Sequence, residues 1–133
     1  MRSVIYNYID GLRLRTSTLT ENLPWEDNAA PLYHHNKKHI YVDAAQTVQT
    51  PVFDTLNNGV GTVDETTTVS VYFVNDAKKL PSDYDKTVEL IKGARLASGT
   101  EGYTQKLCQV TTSFIEDAII TKLEFSFRKL ITN

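Results

Sequence analysis

A single cysteine, Cys108, excludes an internal disulfide framework and leaves no thiol pair for a zinc site or a redox couple. No window approaches the roughly 20 apolar residues of a membrane helix. The opening segment Met1–Asp10 has no apolar stretch followed by a small-residue cleavage site. A soluble protein without a membrane partner, made in a reducing cytoplasm, is therefore expected. A basic excess is missing as well: 14 Lys and Arg stand against 16 acids, a net charge of -2, so a dedicated nucleic-acid surface is disfavoured. Lys37-Lys38, Lys78-Lys79 and Arg13/Arg15 are small separate clusters rather than a phosphate track. Nucleophile-elbow and Walker-type loops are absent, and Asn58-Gly59-Val60-Gly61 lacks the Lys-Ser/Thr and helix that phosphate cradling requires.

The residues that could carry chemistry are scattered. His35 and His39 would share a face if their segment were helical, but the intervening Asn36-Lys37-Lys38 repels a cation and leads towards a strand. The acids Glu26-Asp27, Asp64-Glu65, Asp83, Asp85 and Glu116-Asp117 fall where turns, caps or solvated loops account for them. Cys108, in a strand pattern and pointing inward, reads as buried and inert. No catalytic residue, cofactor site or metal site is expected, and the chain does not read as an enzyme.

What is present is a single α+β domain over residues 1–133, with 41% apolar and 23% charged residues, enough to bury a core without staples. Val4, Ile5, Tyr8, Ile9 and Leu12 recur at helical spacing. Residues 13–38 read as a long polar loop or arm carrying Trp25, which either tucks onto the core edge or meets a neighbour. A strand is expected over His39–Ala45, extensible through Thr47 to Phe53, with Pro51 marking an edge. Residues 54–65 read as a flexible protruding loop, and Thr66–Asn75 as a strand with Val69, Val71 and Phe73 inward. Ser82 with Asp85 has the spacing of a capping box for a second helix, whose buried stripe is Tyr84, Val88, Ile91 and Ala94 or Arg95 and whose end is Gly99.

The last thirty residues are the most explicit. Thr104–Ile115 and Ala118–Ile131 alternate cleanly about a turn at Glu116-Asp117, which pairs Cys108 with Phe125, Val110 with Leu123 and Phe114 with Ile119 on an apolar face. The other face sets Lys122 opposite Thr111 and Glu124 opposite Gln109, followed by Ser126 and Arg128. The order is α-β-β-α-β-β, an antiparallel sheet of about four strands with two helices on one face. On that reading Tyr72, Val74, Ile120 and Leu130 project from the uncovered face and need either a loop or a subunit to cover them. Ile120→Asp or Tyr72→Asp is then expected to weaken assembly and leave the fold intact.

This arrangement, with Thr67-Thr-Val-Ser-Val-Tyr-Phe-Val74 leading through Pro81-Ser82 into a helix and a hairpin ending Lys122-Leu-Glu-Phe-Ser-Phe-Arg128, resembles tail terminator proteins of long-tailed bacteriophages, those of the lambda minor tail protein U type. The resemblance covers about Val4 to Ile131. It implies a virion protein of the tail, assembled in the host cytoplasm, that forms a homo-oligomeric ring, commonly of six subunits. The ring would cap the tail-tube protein and offer a docking surface to the head-completion or connector protein. From the uncovered face and the hairpin's outer face, subunit or partner contacts are expected at Tyr72, Val74, Ile120, Lys122, Glu124 and Arg128, with Trp25 added from the polar arm. The resemblance further implies a lumen loop whose acids, Asp54, Asp64 and Glu65, let DNA pass without specific binding. The polar insertion from Thr16 to Lys38 departs from the pattern and would suit a subunit-embracing arm. Two alternatives stay open: another ring-forming neck adaptor or tail-tube subunit, and a small ligand-binding domain or enzyme with a pocket between helix and sheet.

Overall fold

The computed structural model describes residues 1–14, 18–20, 39–52 and 62–132. Its elements are α1 (Arg2–Gly11), β1 (Thr18–Thr20), β2 (His39–Val42), β3 (Gln46–Val52), β4 (Thr62–Asp76), α2 (Tyr84–Lys92) continued by a 3-10 turn (Gly93–Leu96), β5 (Gln105–Ile115) and β6 (Ala118–Thr132). The order matches the sequence reading only roughly: among the described residues four strands, not two, lie between the helices, six strands replace about four, and β1 lies parallel to β2.

The sheet is organised on β4 and β6, which are antiparallel over all 15 residues of each strand, from Thr62 opposite Thr132 to Asp76 opposite Ala118. Period-two alternation puts Val69, Val71 and Phe73 on the same face as Leu123, Phe125 and Phe127, so six large apolar side chains form one surface. The helices close over it. Ile5 and Ile9 of α1, one turn apart, and Val88 and Ile91 of α2 are buried against these strands, with Ala94 of the 3-10 turn. Phe125 stacks with Phe127 at 6.4 Å and Phe73 with Tyr84 at 5.8 Å. The Tyr84 hydroxyl is hydrogen-bonded to that of Thr121, tying the first turn of α2 to the sheet. A Cβ on Gly93 would meet Tyr8 Oη at 2.6 Å, so this glycine makes room for α1 at the end of α2.

The hairpin register holds at every quoted pair: Cys108 faces Phe125, Val110 faces Leu123, Thr111 faces Lys122, Gln109 faces Glu124 and Phe114 faces Ile119. Burial departs from the expectation. Phe114 is 68% exposed and Val110 is exposed too, because β5 lies outside the area the helices cover; only Cys108 of the three is packed against the core.

A second departure lies at the opposite edge. From Val42 to Gln46 one strand advances four residues while β4 advances three, from Val71 to Thr68, and Asp43 N–H still bonds to the Ser70 carbonyl at 2.9 Å. The extra residue is a β-bulge, and it exchanges the faces beyond it. Ile40 and Val42 point to the helices, whereas in β3 it is the odd residues that do, leaving Val48 and Val52 on the helix-free face.

Three further expectations are corrected. Asp64 and Glu65 are not in a loop: they belong to β4, which begins at Thr62 because β3 and β6 both pair with it there. The capping box does not form, since Asp83 is the residue preceding α2 and no side chain caps the helix. Val74 and Ile120 do project from the helix-free face, but they are 0% and 3% exposed and form a second buried cluster with Tyr41 and Ala118, against which Tyr72 is half-buried. The single chain buries them without a neighbour.

Both clusters yield an expected outcome. Phe125→Ala should cost about 3–5 kcal/mol in urea unfolding, as a large truncation in a packed core. Ile120→Asp should now cost about 3 kcal/mol or more by burying a carboxylate. An Ile120→Asp protein as stable as wild type would show that the second cluster is not a core.

Candidate assembly surface

The sheet face away from the helices carries most of the residues singled out in the sequence. Tyr72, Lys122 and Glu124 meet in a concavity of about 350 Å³ beside the bulge, with Asp43, Thr68 and Ser70 completing its wall. Direct pairing of Tyr72 with Lys122 and of Ser70 with Glu124 across β4 and β6 places them there. Lys122 Nζ sits 3.2 Å from Glu124 Oε2 and 5.9 Å from the centre of the Tyr72 ring. The ammonium thus has a carboxylate and a π-face as neighbours. Burial raises the Tyr72 hydroxyl above its ordinary value, and pushes that of Tyr41, deeper in the same face, up to about 12. Both phenols stay protonated at neutral pH.

Arg128 lies farther along this face and is not part of the concavity. Its Nε donates to both carboxylate oxygens of Asp64, at 2.9 and 3.0 Å, and its Nη2 is 2.7 Å from Oδ2. That hydrogen bond first, and the cation's charge, hold the Asp64 carboxyl below its usual value. Glu65, on the helix side of β4, is matched by Lys129 at 3.4 Å and by Gln49 Nε2 at 3.2 Å. The two described acids expected to line a lumen are therefore neutralised by neighbours on β6. Asp54, Trp25, His34 and His35 lie outside the described residues.

The edge expected at Pro51 falls in β3, whereas the edge formed by β5 was not singled out in the sequence reading. β3 is exposed at all seven residues, and β5 is exposed at every residue except Lys106 and Cys108. Phe114, Leu107, Val48 and Val52 project from these edges into solvent. The signal was present in the sequence: Gln46–Val52 has no charged residue, and Gln105–Ile115 has one, Lys106. Native edge strands are ordinarily guarded by charge, proline, bulges or shortness. The 11-residue β5 has no proline and keeps an unbroken register along β6.

Among the described residues no group of three or more His, Cys, Asp and Glu could hold a metal ion. Among them no helix is long and apolar enough to cross a membrane. Burial pushes the Cys108 thiol up to about 11, with Lys92 and Arg95 opposing weakly, which disfavours a thiolate nucleophile.

No protein-family model matches the chain, and no curated protein matches it. Among solved structures it is similar to a chain of the "Virion of native gene transfer agent (GTA) particle", at a TM-score of 0.51 and 12% identity. The correspondence covers 98% of this chain and 95% of that one, so the likeness extends over both chains nearly end to end. At that identity it establishes a shared fold.

The Cys108 environment has a direct check. At about pH 8 the native thiol should react with iodoacetamide roughly 10- to 100-fold more slowly than in urea-unfolded protein, since burial pushes it up to about 11 and depletes the thiolate. Equal rates would place Cys108 outside the core contact described here.

Proposed function

We propose that this chain is a structural virion protein whose copies form a closed ring, and that the ring terminates the tail tube and joins it to the head connector. The observation that carries this reading is the end-to-end likeness of the fold to a chain of a virion particle, over 98% and 95% of the two chains. Three features of the molecule support it. The described residues offer protonated phenols, paired ions and a thiol raised to about 11, a poor inventory for general acid-base or nucleophilic work. Two uncharged or nearly uncharged sheet edges offer self-association. The ion-paired polar face offers a surface without a fixed excess of positive charge, across which a polyanion slides without being held.

A ring suits such a protein because a heterologous contact repeated by rotation closes on itself and stops, whereas one repeated with translation gives a filament. Tail termination needs the first, and a tube subunit uses the second. Lys122, Glu124 and Tyr72, gathered in one concavity, are the proposed partner contacts on the ring's polar face, with Arg128 farther along it. Val74 and Ile120 take no direct part, being buried within the chain.

Electron microscopy of the purified protein, alone and mixed with tail tubes, tests the proposal. Rings of uniform size, bound at one end of each tube, are expected. Filaments in place of rings would identify a tube subunit instead, and monomers that ignore tubes would overturn the reading altogether.

A further inference from the structure

We infer that two copies of this chain pair through β5, strand against strand about a two-fold axis at Val110, so that their sheets become one. The contact goes beyond the ring reading and does not close a ring, because an isologous pair is complete at two copies. The residues flanking β5, Tyr103 and Thr104 before it and Glu116 and Asp117 after it, are all described, and among the described residues β6 is the only strand paired with it. All of β5 except Lys106 and Cys108 is exposed. It keeps unbroken register along β6, contains no proline, and carries Lys106 as its only charge, so the usual guards of an edge strand are missing.

A two-fold axis normal to the sheet sets the two strands antiparallel, the more stable ladder type, and keeps the helices of both copies on one side. Centred on Val110, it opposes every residue of the strand. Val110 meets its own counterpart, Cys108 meets Thr112, Lys106 meets Phe114 and Leu107 meets Ser113 of the other copy. No like charges therefore face each other along the strands. The distribution of apolar surface identifies the occupant as a second copy. Phe114 and Leu96, 68% and 66% exposed, are the two most exposed large apolar side chains among the described residues. The 3-10 turn that carries Leu96 lies against β5, and its Arg95 acts on Cys108, so the helix layer reaches this rim near Cys108 and leaves it bare at Phe114. The two-fold lays the covered end of each copy beside the bare end of the other, which turns Leu96 toward the other copy's Phe114. On the helix-free face, exposed Leu107 becomes the diagonal cross-strand neighbour of exposed Ile115. An unrelated strand could satisfy the backbone of β5, but this symmetric pairing also matches the surplus of one end to the deficit of the other.

Disulfide trapping in the full-length chain tests the contact. In a Cys108→Ala background, Val110→Cys places two thiols directly opposite each other, within the roughly 4.4–6.8 Å between Cα atoms that a disulfide spans. Ser113→Cys in the same background places them about 20 Å apart along the strands. Mild oxidation should convert the first protein to a covalent dimer on a non-reducing gel and leave the second monomeric. A third variant, Val110→Lys, sets two ammonium groups against each other at the axis. Val110 is exposed, so circular dichroism and melting of this variant should match the wild type. Light scattering on a sizing column should give the wild type twice the mass of Val110→Lys, whether the wild type is a free pair or a ring joined to a second ring through this edge. Equal masses, no dimer from Val110→Cys, or cross-linking of Ser113→Cys as complete as that of Val110→Cys would each overturn the pairing. All of these results leave the ring reading in place, since microscopy with tail tubes tests it separately.

Discussion

The antiparallel ladder between β4 and β6 is the constraint on which the rest of the molecule depends. It fixes the direction of the other strands that pair with it: β2 and β3 lie on one side of β4 and β5 on the far side of β6. It also separates the faces. Val69, Val71, Phe73, Leu123, Phe125 and Phe127 can be buried under two short helices only because both strands keep strict alternation in one register. A slip of one residue in either strand would turn three of these side chains to the opposite face. It would also part Asp64 from Arg128 and Lys122 from Tyr72.

The same ladder explains why the helix-free face is not simply a wet one. Near the Asp76 end it holds a compact apolar group, Tyr41, Val74, Ala118 and Ile120; further along come the concavity and the Asp64–Arg128 pair. The polar surface available to a partner is thus a defined stretch of the face. The bulge after Val42 bounds it by exchanging the alternation of the edge strand, and Asp43 within the bulge lines the concavity.

Much of this was legible in the residues and some was not, for physical reasons. The β5–β6 register was readable because a two-residue turn leaves the two strands one way to match their alternation, and every quoted pair is found. The helix stripes Ile5/Ile9 and Val88/Ile91 followed from their spacing. Burial of Val74 and Ile120 was not readable, because alternation assigns a face and does not say what covers it. Asp64 and Glu65 read as loop because acids are depleted in strands; partners on both sides, Arg128 and Lys129 among them, override that preference. The capping box failed because a matching pair of residue types does not oblige the side chains to adopt the capping geometry. Alternation also sets Tyr72, Lys122 and Glu124 on one face, where the structure has them. The β5 edge is less legible than the one at Pro51, because it is defined by what β5 lacks.

The central claim is that the β4–β6 ladder holds the molecule together. Amide hydrogen exchange of the native protein tests it most directly. The account predicts the slowest exchange in residues 62–76 and 118–132, with faster exchange in the exposed strands 46–52 and 105–115. Exchange in β4 and β6 as fast as in β3 and β5 would contradict it.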